Sequence, residues 1–272
     1  CTLSVAGRSS LKRGPSVDVL IVDEAAQAIE AETLIALSMR PKQLILVGDP
    51  CQLSSKLASQ EATRYGFDKS LMYRLMQAGG LPYQMLDLQY RMRPEISRWP
   101  SKQFYGAKVK DAANVRAPSW SLGPVAGSPW LGPLSFLDCP SGKEERDRRG
   151  SYSNRVEVET TVKVVKSLER SGRLRVIVIS FYRAQITAMK RAFSRHGVER
   201  TQVHSVDSFQ GSESDVVVVS FVRTSRNVGF LNDCRRLNVA ITRAKFSLLL
   251  VGNFGTLRRC TARDIVSLME HV

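Results

Sequence analysis

The chain has 272 residues, of which 43% are hydrophobic, so it can form one large or two smaller packed domains and is not composed like a disordered protein. With 40 Lys and Arg against 25 Asp and Glu, its net charge is +15. This charge favours an anionic partner such as nucleic acid. A solvated basic surface is an equal alternative, because composition does not say where the charges lie.

The cysteines and the start of the chain bear on its compartment. The five cysteines, at positions 1, 51, 139, 234 and 260, include no CxxC pair, which disfavours a zinc knuckle or a disulfide framework. The opening CTLSVAG is not a signal peptide, and the apolar runs are far shorter than the roughly 18 residues of a membrane span. We expect an intracellular protein, nuclear or cytoplasmic, neither secreted nor in a membrane, with residue 1 inside a longer protein.

Short apolar runs alternate with polar, helix-forming stretches along the chain, which is the pattern of an α/β protein with parallel sheets. Strands buried on both faces are predicted in VDVLIVDE (17–24), QLILVGD (43–49), MLDLQYR (85–91), RVIVIS (175–180), DVVVVSFV (215–222) and SLLLVGN (247–253). Amphipathic helices are predicted where apolar residues recur at helical spacing, at Val158, Val162, Val165 and Leu168 and again at Ile186, Met189 and Phe193.

A domain boundary is predicted near Gly79, Gly80 and Pro82, where a helical stretch ending at Gln77 gives way to a turn and a new strand. The predicted domains are residues 1–80 and 81–272. Within the second, residues 106–153 are richer in Gly, Pro and Ser and contain a densely charged stretch. This composition indicates a loop-rich, exposed excursion.

The sequence DEAAQ follows the first predicted strand and places Asp23 and Glu24 at its carboxyl end, where open α/β sheets bind ligands. A carboxylate at this position can hold Mg²⁺ through water, and the next can activate the water that attacks a γ-phosphate. We assign Asp23 to the metal and Glu24 to water activation. The alternative is that the pair caps the following helix, since acidic groups suit a helix N-terminus.

The second predicted strand ends in GDPCQL, where Gly48 allows a tight turn, Asp49 adds a second acidic strand end and Gln52 offers an amide to a phosphate oxygen. The two acidic strand ends are separated by one helical segment. Such a βαβ unit brings both ends to the same edge of the sheet.

In this order, DEAAQ, GDPCQL, QYRMRPEI, VDSFQGSESD and RRLNVAITRAK resemble the later helicase motifs of superfamily 1. They are most similar to the group containing the nonsense-mediated-decay helicase, senataxin and the immunoglobulin-mu-binding helicase. The resemblance covers nearly the whole chain and thins over residues 106–150. It implies two RecA-like parallel-sheet lobes, the first incomplete at its N-terminus, with ATP and Mg²⁺ as cofactors.

The resemblance also assigns roles to residues of the second predicted domain. It implies that Tyr90 stacks on the nucleotide base and that Arg91 faces the γ-phosphate, where a planar cationic fork suits phosphate geometry. Gly211 would approach the phosphates, Glu213 the ribose, and Arg243 would be a second arginine finger. The alternative for Arg91 is a surface cation on an interdomain face.

The residues predicted to contact nucleic acid are more scattered. CTLSVAG resembles a segment that contacts the strand, which includes Thr2, and SFYRAQ resembles a TPYxxQ segment near bound strand, which includes Tyr182 and Gln185. The first two residues of SFYRAQ depart from that pattern. Asp207 and Gln210 would link nucleotide state to the strand, or alternatively serve as turn residues that satisfy their own backbone.

No GxxxxGK[ST] pattern occurs in the 272 residues. We expect the missing N-terminal part of the same protein to supply this phosphate-binding loop. The predicted function is ATP-dependent 5′ to 3′ movement on single-stranded RNA or DNA, with catalytic Glu24, Gln52, Arg91 and Arg243 meeting across the two lobes. The alternatives are a catalytically silent nucleic-acid-binding or scaffold module, and a nuclease or repair factor with an appended metal-carboxylate domain.

Overall fold

The computed structural model describes the chain except for residues 13, 15, 16, 56, 58, 123–130, 171 and 173. It divides into two compact units, Cys1–Met85 and Leu86–Val272. The predicted boundary at residue 80 falls just after the last helix of the first unit, which ends at Ala78. Gly79 and Gly80 follow with φ values of 72° and 80°. This left-handed backbone is the conformation for which glycine is suited.

The first unit has a two-stranded parallel sheet and short helices. Its strands are β1 (Val19–Val22) and β2 (Gln43–Leu46). Its helices are α1 (Leu3–Ala6), α2 (Ser9–Lys12), α3 (Glu30–Leu37), α4 (Gln60–Arg64) and α5 (Leu71–Ala78).

The prediction that the strands of the first unit are buried on both faces is wrong. Val19, Ile21 and Ile45 are exposed, while Val22 is buried. Side chains alternate between the two faces of a strand, so one face of this small sheet is packed and the other is open among the described residues. Unbroken apolar runs conceal that difference, because both faces carry the same residue types.

The strands of the second unit are β3 (Leu88–Gln89), β4 (Lys110–Asp111), β5 (Leu134–Asp138), β6 (Glu144–Arg146), β7 (Tyr152–Asn154), β8 (Val176–Ser180), β9 (Gln202–Ser205), β10 (Ser214–Ser220) and β11 (Ala244–Gly252). Its helices are α6 (Pro94–Tyr105), α7 (Ala113–Arg116), α8 (Arg155–Arg170), α9 (Arg183–Arg195), α10 (Cys234–Ile241), α11 (Phe254–Leu257) and α12 (Arg263–His271). Two short 3-10 helices lie at Asp207–Phe209 and Gly229–Asn232.

The main sheet of the second unit has the strand order β5-β11-β10-β8-β9 in the described part of the chain, and every neighbouring pair is parallel. The predicted strands RVIVIS, DVVVVSFV and SLLLVGN form β8, β10 and β11, which are buried along most of their length. The α/β prediction is therefore confirmed. The predicted strand in MLDLQYR is shorter than expected, because only Leu88 and Gln89 pair with β4.

The two predicted amphipathic helices are α8 and α9, and they pack together on the main sheet. Val165, Leu168 and Met189 are fully buried in this layer against strand residues such as Val178 and Val218. Packing of this apolar layer fixes the helices on the sheet, since burying each large side chain contributes about 1.5–3 kcal/mol.

The predicted excursion over 106–153 is only partly a loop region, and its residues 123–130 lie outside the described residues. β5 falls inside this range yet forms one end of the main sheet against β11. β6 and β7 form an antiparallel hairpin. None of the helices in the described ranges combines the length and apolar character needed to cross a bilayer.

Candidate functional site

The turn after β1 holds the two acidic residues predicted to bind metal and activate water. Asp23 and Glu24 are both exposed, and the Glu24 amide donates a hydrogen bond to Asp23 Oδ1 at 2.9 Å. Glu24 has a φ of 53°, a left-handed conformation that is uncommon outside glycine. Strain of this kind clusters at active sites and ligand clamps. The helix-cap alternative is wrong, because α3 begins only at Glu30.

The DEAAQ turn is tied to the end of β2. The Ala25 amide donates to the Val47 carbonyl oxygen at 2.8 Å. Within the turn, Gln27 Nε2 donates to Glu24 Oε2 at 2.8 Å and so holds the glutamate side chain. The two strand ends therefore lie side by side, which confirms the prediction that they share one edge of the sheet.

Gly48 is required for close approach rather than for a left-handed φ. A Cβ atom at this position would lie 2.9 Å from the Ala26 nitrogen and 3.0 Å from the Ala25 nitrogen. Both neighbours are backbone atoms, so neither can move aside without shifting the turn that carries Glu24. The glycine thus links the two motifs of the first unit sterically.

We expect Gly48→Ala to loosen the DEAAQ turn by about 1–3 kcal/mol, because an extra methyl group in a packed site forces the backbone to shift. Hydrogen exchange at the Ala25 amide is the measurement, since this amide is bonded to Val47. Each 1.4 kcal/mol of lost protection against local opening accelerates exchange about tenfold. Unchanged exchange at Ala25 would show that the close contact is not constraining.

Asp49 organises the second motif. Its side chain accepts hydrogen bonds from the Cys51 amide at 2.9 Å and from Gln52 Nε2 at 2.8 Å. The backbone N–H of Gln52 donates to the Asp49 carbonyl oxygen at 3.1 Å. The side-chain amide of Gln52, which is predicted to contact a phosphate, is thus oriented by the Asp49 carboxylate. Its contact with a nucleotide stays a prediction.

The side chain of Asp23 fits a role as a magnesium ligand. One of its oxygens is bonded to the Glu24 amide, and its exposed carboxylate is the ligand type that Mg²⁺ prefers. Mg²⁺ is commonly held by one or two carboxylates, with waters and nucleotide phosphates completing the shell. Among the described residues, no group of three or more His, Cys, Asp and Glu side chains forms an all-protein cage.

In the second unit, three predicted motifs meet in what we call the Arg91 cluster, which consists of Arg91, Glu213, Lys245 and the carbonyl group of Thr242. Arg91 Nε donates to Glu213 Oε2 at 2.7 Å, and Nη1 donates to the Thr242 carbonyl oxygen at 3.1 Å. Lys245 Nζ lies 2.8 Å from Glu213 Oε1. Hydrogen bonds from Lys245 and Arg91 lower the pKa of Glu213, so the carboxylate stays charged at neutral pH.

The cluster lies at the amino ends of β10 and β11, because Glu213 precedes Ser214 and Lys245 follows Ala244. Arg91 and Glu213, assigned separately to phosphate and ribose, are direct partners in this structure. Lys245 was not identified from the sequence. It lies in the same RRLNVAITRAK motif as Arg243, and a second cation in that motif was the available signal.

The other nucleotide and coupling residues have distinct surroundings. Tyr90 is 62% exposed, so its ring is accessible. Gly211 has a φ of 76°, a left-handed backbone conformation for which glycine is suited. Asp207 begins a 3-10 helix, and its Oδ1 is 3.9 Å from Arg236 Nε. Gln210 Nε2 is buried without a hydrogen-bond partner among the described residues.

Arg243 points inward in this structure. Only 3% of its surface is exposed. Its Nε donates to the Val239 carbonyl oxygen at 2.9 Å, and its Nη2 donates to Thr242 Oγ1 at 2.8 Å. Acting as an arginine finger would require the side chain to leave these contacts, which sequence alone did not indicate.

The structure corrects the prediction that Tyr182 and Gln185 contact a nucleic-acid strand. Tyr182 is 2% exposed and donates to the Val228 carbonyl oxygen at 2.8 Å, and burial raises its pKa. Gln185 is fully buried, and its Oε1 accepts a hydrogen bond from the Asn154 amide at 2.8 Å. Both side chains stabilise the interior of the second unit and do not face a strand.

Gln185 belongs to a buried polar network that the sequence analysis missed. Glu157 is fully buried, and its Oε2 accepts from Ser220 Oγ at 2.6 Å and from the Val222 amide at 2.9 Å. Val222 has a φ of 72°, which is rare for a β-branched residue. The network fixes the chain as it leaves the carboxyl end of β10. The signal available in the sequence was an acidic residue among the valines of an amphipathic helix.

Thr2, the last of the predicted strand contacts, caps α1. Its Oγ1 accepts a hydrogen bond from the Val5 amide at 3.3 Å. This is the usual role of a threonine before a helix. Thr2 is also exposed, so its predicted contact with nucleic acid stays a prediction.

A parallel α/β unit in which residues of QYRM, VDSFQGSESD and ITRAK meet defines, together with the DEAAQ turn, a helicase-type domain. Two protein-family models, each described as an AAA domain, match residues 1–60 and 67–255. The chain belongs to this family, within the helicase group of senataxin-like proteins and regulators of nonsense transcripts.

Three relatives illustrate the similarity. The chain is 40% identical to "Probable helicase MAGATAMA 3" of Arabidopsis thaliana over 94% of its own length and 33% of the relative's. It is 36% identical to "Helicase sen1" of Schizosaccharomyces pombe, covering 94% of this chain and 16% of that protein. It is 36% identical to "Regulator of nonsense transcripts 1 homolog" of Drosophila melanogaster, covering 93% and 22%. The chain thus spans a third or less of these relatives.

Solved structures give more distant likenesses. The complex structure of Arterivirus nonstructural protein 10 (helicase) with DNA aligns with 92% of this chain and 41% of its own, at 13% identity and a TM-score of 0.46. The structure of the PRRSV helicase aligns with 88% of this chain and 36% of its own, at 16% identity and a TM-score of 0.46.

Proposed function

We propose that this chain is part of a longer ATP-dependent helicase that moves 5′ to 3′ along single-stranded RNA or DNA. The observation that carries the proposal is the Arg91 cluster, in which Arg91 is oriented by Glu213 at 2.7 Å and Lys245 balances the same carboxylate at 2.8 Å. A guanidinium fork held in this way is suited to a phosphate group. The helicase relatives support the same function.

Each unit contributes its own residues to the proposed reaction. Glu24 accepts a proton from the attacking water, and Gln52 orients a phosphate oxygen. Asp23 would hold Mg²⁺, and this ion would supply neutralisation of charge on the phosphates. Arg91 stabilises the charge that develops on the terminal phosphate, and Arg243 would do so only after leaving its contacts with Val239 and Thr242. Tyr90, Gly211 and Glu213 bind the base, phosphates and ribose.

The second candidate is a catalytically silent nucleic-acid-binding module. The conformation of Glu24 disfavours it, because a φ of 53° costs free energy that a module without catalysis has no reason to retain. Intact Asp23, Gln52 and Arg91 argue in the same direction.

An N-terminal part of the same protein is expected to supply the phosphate-binding loop.

The test is steady-state ATP hydrolysis by the full-length protein with matched single-stranded RNA and DNA. Glu24→Gln should lower kcat by about 10²–10⁴, the contribution typical of a general base. Unwinding of duplexes with 5′ or 3′ overhangs reports polarity. Wild-type turnover in the Glu24→Gln protein would contradict the assignment.

A second experiment tests whether the 272 residues hydrolyse ATP without the rest of the protein. The isolated 272 residues should hydrolyse little or no ATP, since they lack a GxxxxGK[ST] phosphate-binding loop. Robust turnover by these residues alone, stimulated by single strands, would contradict the proposal that another part of the protein completes the site.

A further inference from the structure

The turn at residues 90–93 carries Arg91 from the end of β3 to the start of α6, and neighbouring side chains hold its main chain. The Arg91 and Met92 amides both donate to Gln89 Oε1, at 3.0 and 2.8 Å. The Met92 carbonyl oxygen accepts from Gln89 Nε2 at 2.7 Å, and the Arg91 carbonyl oxygen accepts from Trp120 Nε1 at 3.2 Å. The main-chain N–H and carbonyl groups of Arg91 and Met92 are therefore all bonded.

The side-chain amide of Gln89 is oriented by Asp111. An amide oxygen can accept two hydrogen bonds and its NH₂ group can donate two, and Gln89 makes all of these. The bond that does not involve the turn runs from Nε2 to Asp111 Oδ1 at 2.6 Å. Because a carboxylate only accepts, it keeps the NH₂ group on its own side and directs Oε1 at the Arg91 and Met92 amides.

Asp111 is in turn held by the strand pair and by α6. It lies opposite Gln89 in the parallel pair of β3 and β4. Its Oδ1 also accepts a hydrogen bond from Oγ of Ser97, a buried residue of α6, at 2.5 Å. A carboxylate fixed from two elements can hold its partner in one orientation, because both of its contacts would be lost if it rotated away.

We propose that Asp111 is a positioning residue for ATP hydrolysis, which acts on Arg91 through the amide of Gln89. Asp111 fixes the main chain of Arg91, whereas Glu213 and the Thr242 carbonyl group hold its guanidinium group. The inference rests on the proposed function, because the position of Arg91 matters to catalysis only if it acts on a phosphate. A preorganised charge loses about 10²-fold in rate when it is misplaced by about 1 Å.

Asp111→Leu in the full-length protein removes the acceptor for Gln89 with a side chain of similar length. We expect kcat for ATP hydrolysis to fall by about 10²-fold with little change in KM, because Arg91 acts mainly in the transition state. Asp111→Asn keeps one acceptor oxygen and should recover most of this loss. Gln89→Met removes the same link from the other side and should reproduce the effect of Asp111→Leu.

Asp87→Leu is the matched control for the kinetic experiment. Asp87 lies just before β3, and its half-exposed carboxylate is 3.5 Å from Lys110 Nζ, so it belongs to the same strand pair without contacting Gln89. This variant should keep the wild-type kcat. An equal fall in Asp87→Leu and Asp111→Leu would assign the effect to the strand pair as a whole and overturn the inference.

The double variant Asp111→Leu with Arg91→Ala separates positioning from a general structural role. If Asp111 acts through Arg91, kcat of the double variant should equal that of Arg91→Ala alone, since no guanidinium group remains to be positioned. Independent effects would multiply, and the double variant would lose about a further 10²-fold. That result would overturn the inference.

Hydrogen exchange in the 272-residue chain tests the contact without catalysis. In Asp111→Leu the Arg91 and Met92 amides should exchange about tenfold faster, because loss of a bond to a charged group weakens the hold of Gln89 on the turn. The Ala112 amide, which donates to the Gln89 carbonyl oxygen at 3.0 Å, reports whether the strand pair is intact and should change little. Unchanged exchange at Arg91 and Met92 would contradict the proposal.

Failure of the proposed function gives a different pattern of results. If the full-length wild-type protein hydrolyses no ATP, the proposed function fails, and Asp111 is a purely structural residue even where the Arg91 amide depends on it. If the wild type hydrolyses ATP and Asp111→Leu keeps the wild-type kcat, the proposed function stands and only the positioning role is overturned.

Discussion

Arg91→Ala in the full-length protein is expected to lower kcat for ATP hydrolysis by about 10³-fold or more, as removal of an arginine finger does. The KM for ATP should change far less, because the guanidinium acts mainly on charge that develops in the transition state. The structure supports a larger effect on kcat than on KM. Nε and Nη1 of Arg91 are held by Glu213 and the Thr242 carbonyl group, so the fork is already oriented.

Arg91→Lys sharpens the test, because lysine keeps the charge but not the planar fork. A lysine cannot bond Glu213 and the Thr242 carbonyl group in the same geometry while also reaching a phosphate. We therefore expect its kcat to stay close to that of the alanine variant. Arg98→Gln, an exposed position on α6, is the matched control and should keep wild-type turnover. A large rise in KM with unchanged kcat in Arg91→Ala would assign Arg91 to ground-state binding instead.

The sequence predicted well those features that depend on local pattern. The apolar run over 215–222 gave the strand β10, which is buried along most of its length, and the valine and leucine spacing of α8 placed its buried face correctly. Asp23 and Glu24 lie where a strand end was expected, next to the GDPCQL turn. These features follow from side-chain periodicity and short connections, both of which are visible in a single sequence.

Features that depend on contacts distant in sequence were not predictable. Gln185 looked like a strand contact, but its partners Asn154 and Ser220 lie more than 30 residues away and draw it inside. Glu213 and Arg91 are 122 positions apart, so their ion pair required the fold. Their cluster is also at the amino ends of β10 and β11, whereas the carboxyl-end rule that identified Asp23 searches the opposite edge.

The Glu157 network explains how the second unit holds a strained loop, and it has a measurable signature. Burial raises the pKa of Glu157 from 4.5 to about 8, although hydrogen bonds from Ser220 and the Val222 amide oppose the shift. In the folded state the carboxyl group therefore keeps its proton between about pH 5 and pH 8, whereas in the unfolded chain it is ionised. The protonated Glu157 side chain makes its full contribution to stability below pH 4.5, the pKa of this group in the unfolded chain. That contribution is lost as the pH rises through about 8, the pKa in the folded state.

We expect the free energy of unfolding of the second unit to carry a component that falls by about 1.4 kcal/mol per pH unit between pH 5 and pH 8. Glu157→Gln mimics the protonated acid and should remove this component, whatever its effect on absolute stability. Urea unfolding followed by tryptophan fluorescence is suitable, because the described tryptophans, Trp99 and Trp120, both belong to the second unit.

Glu159→Gln is the matched control for this experiment, because Glu159 lies on the same helix but is exposed and paired with Arg155. The hydrogen bond from Arg155 lowers the pKa of Glu159. The weak contribution of this ion pair to stability therefore depends on pH in the opposite direction, and it is lost as the pH falls. The decisive quantity is the difference in pH slope between wild type and each variant. If Glu157→Gln and Glu159→Gln leave the slope equally unchanged, Glu157 is ionised in the folded protein, and its carboxylate is held by Ser220 and Val222 as an anion.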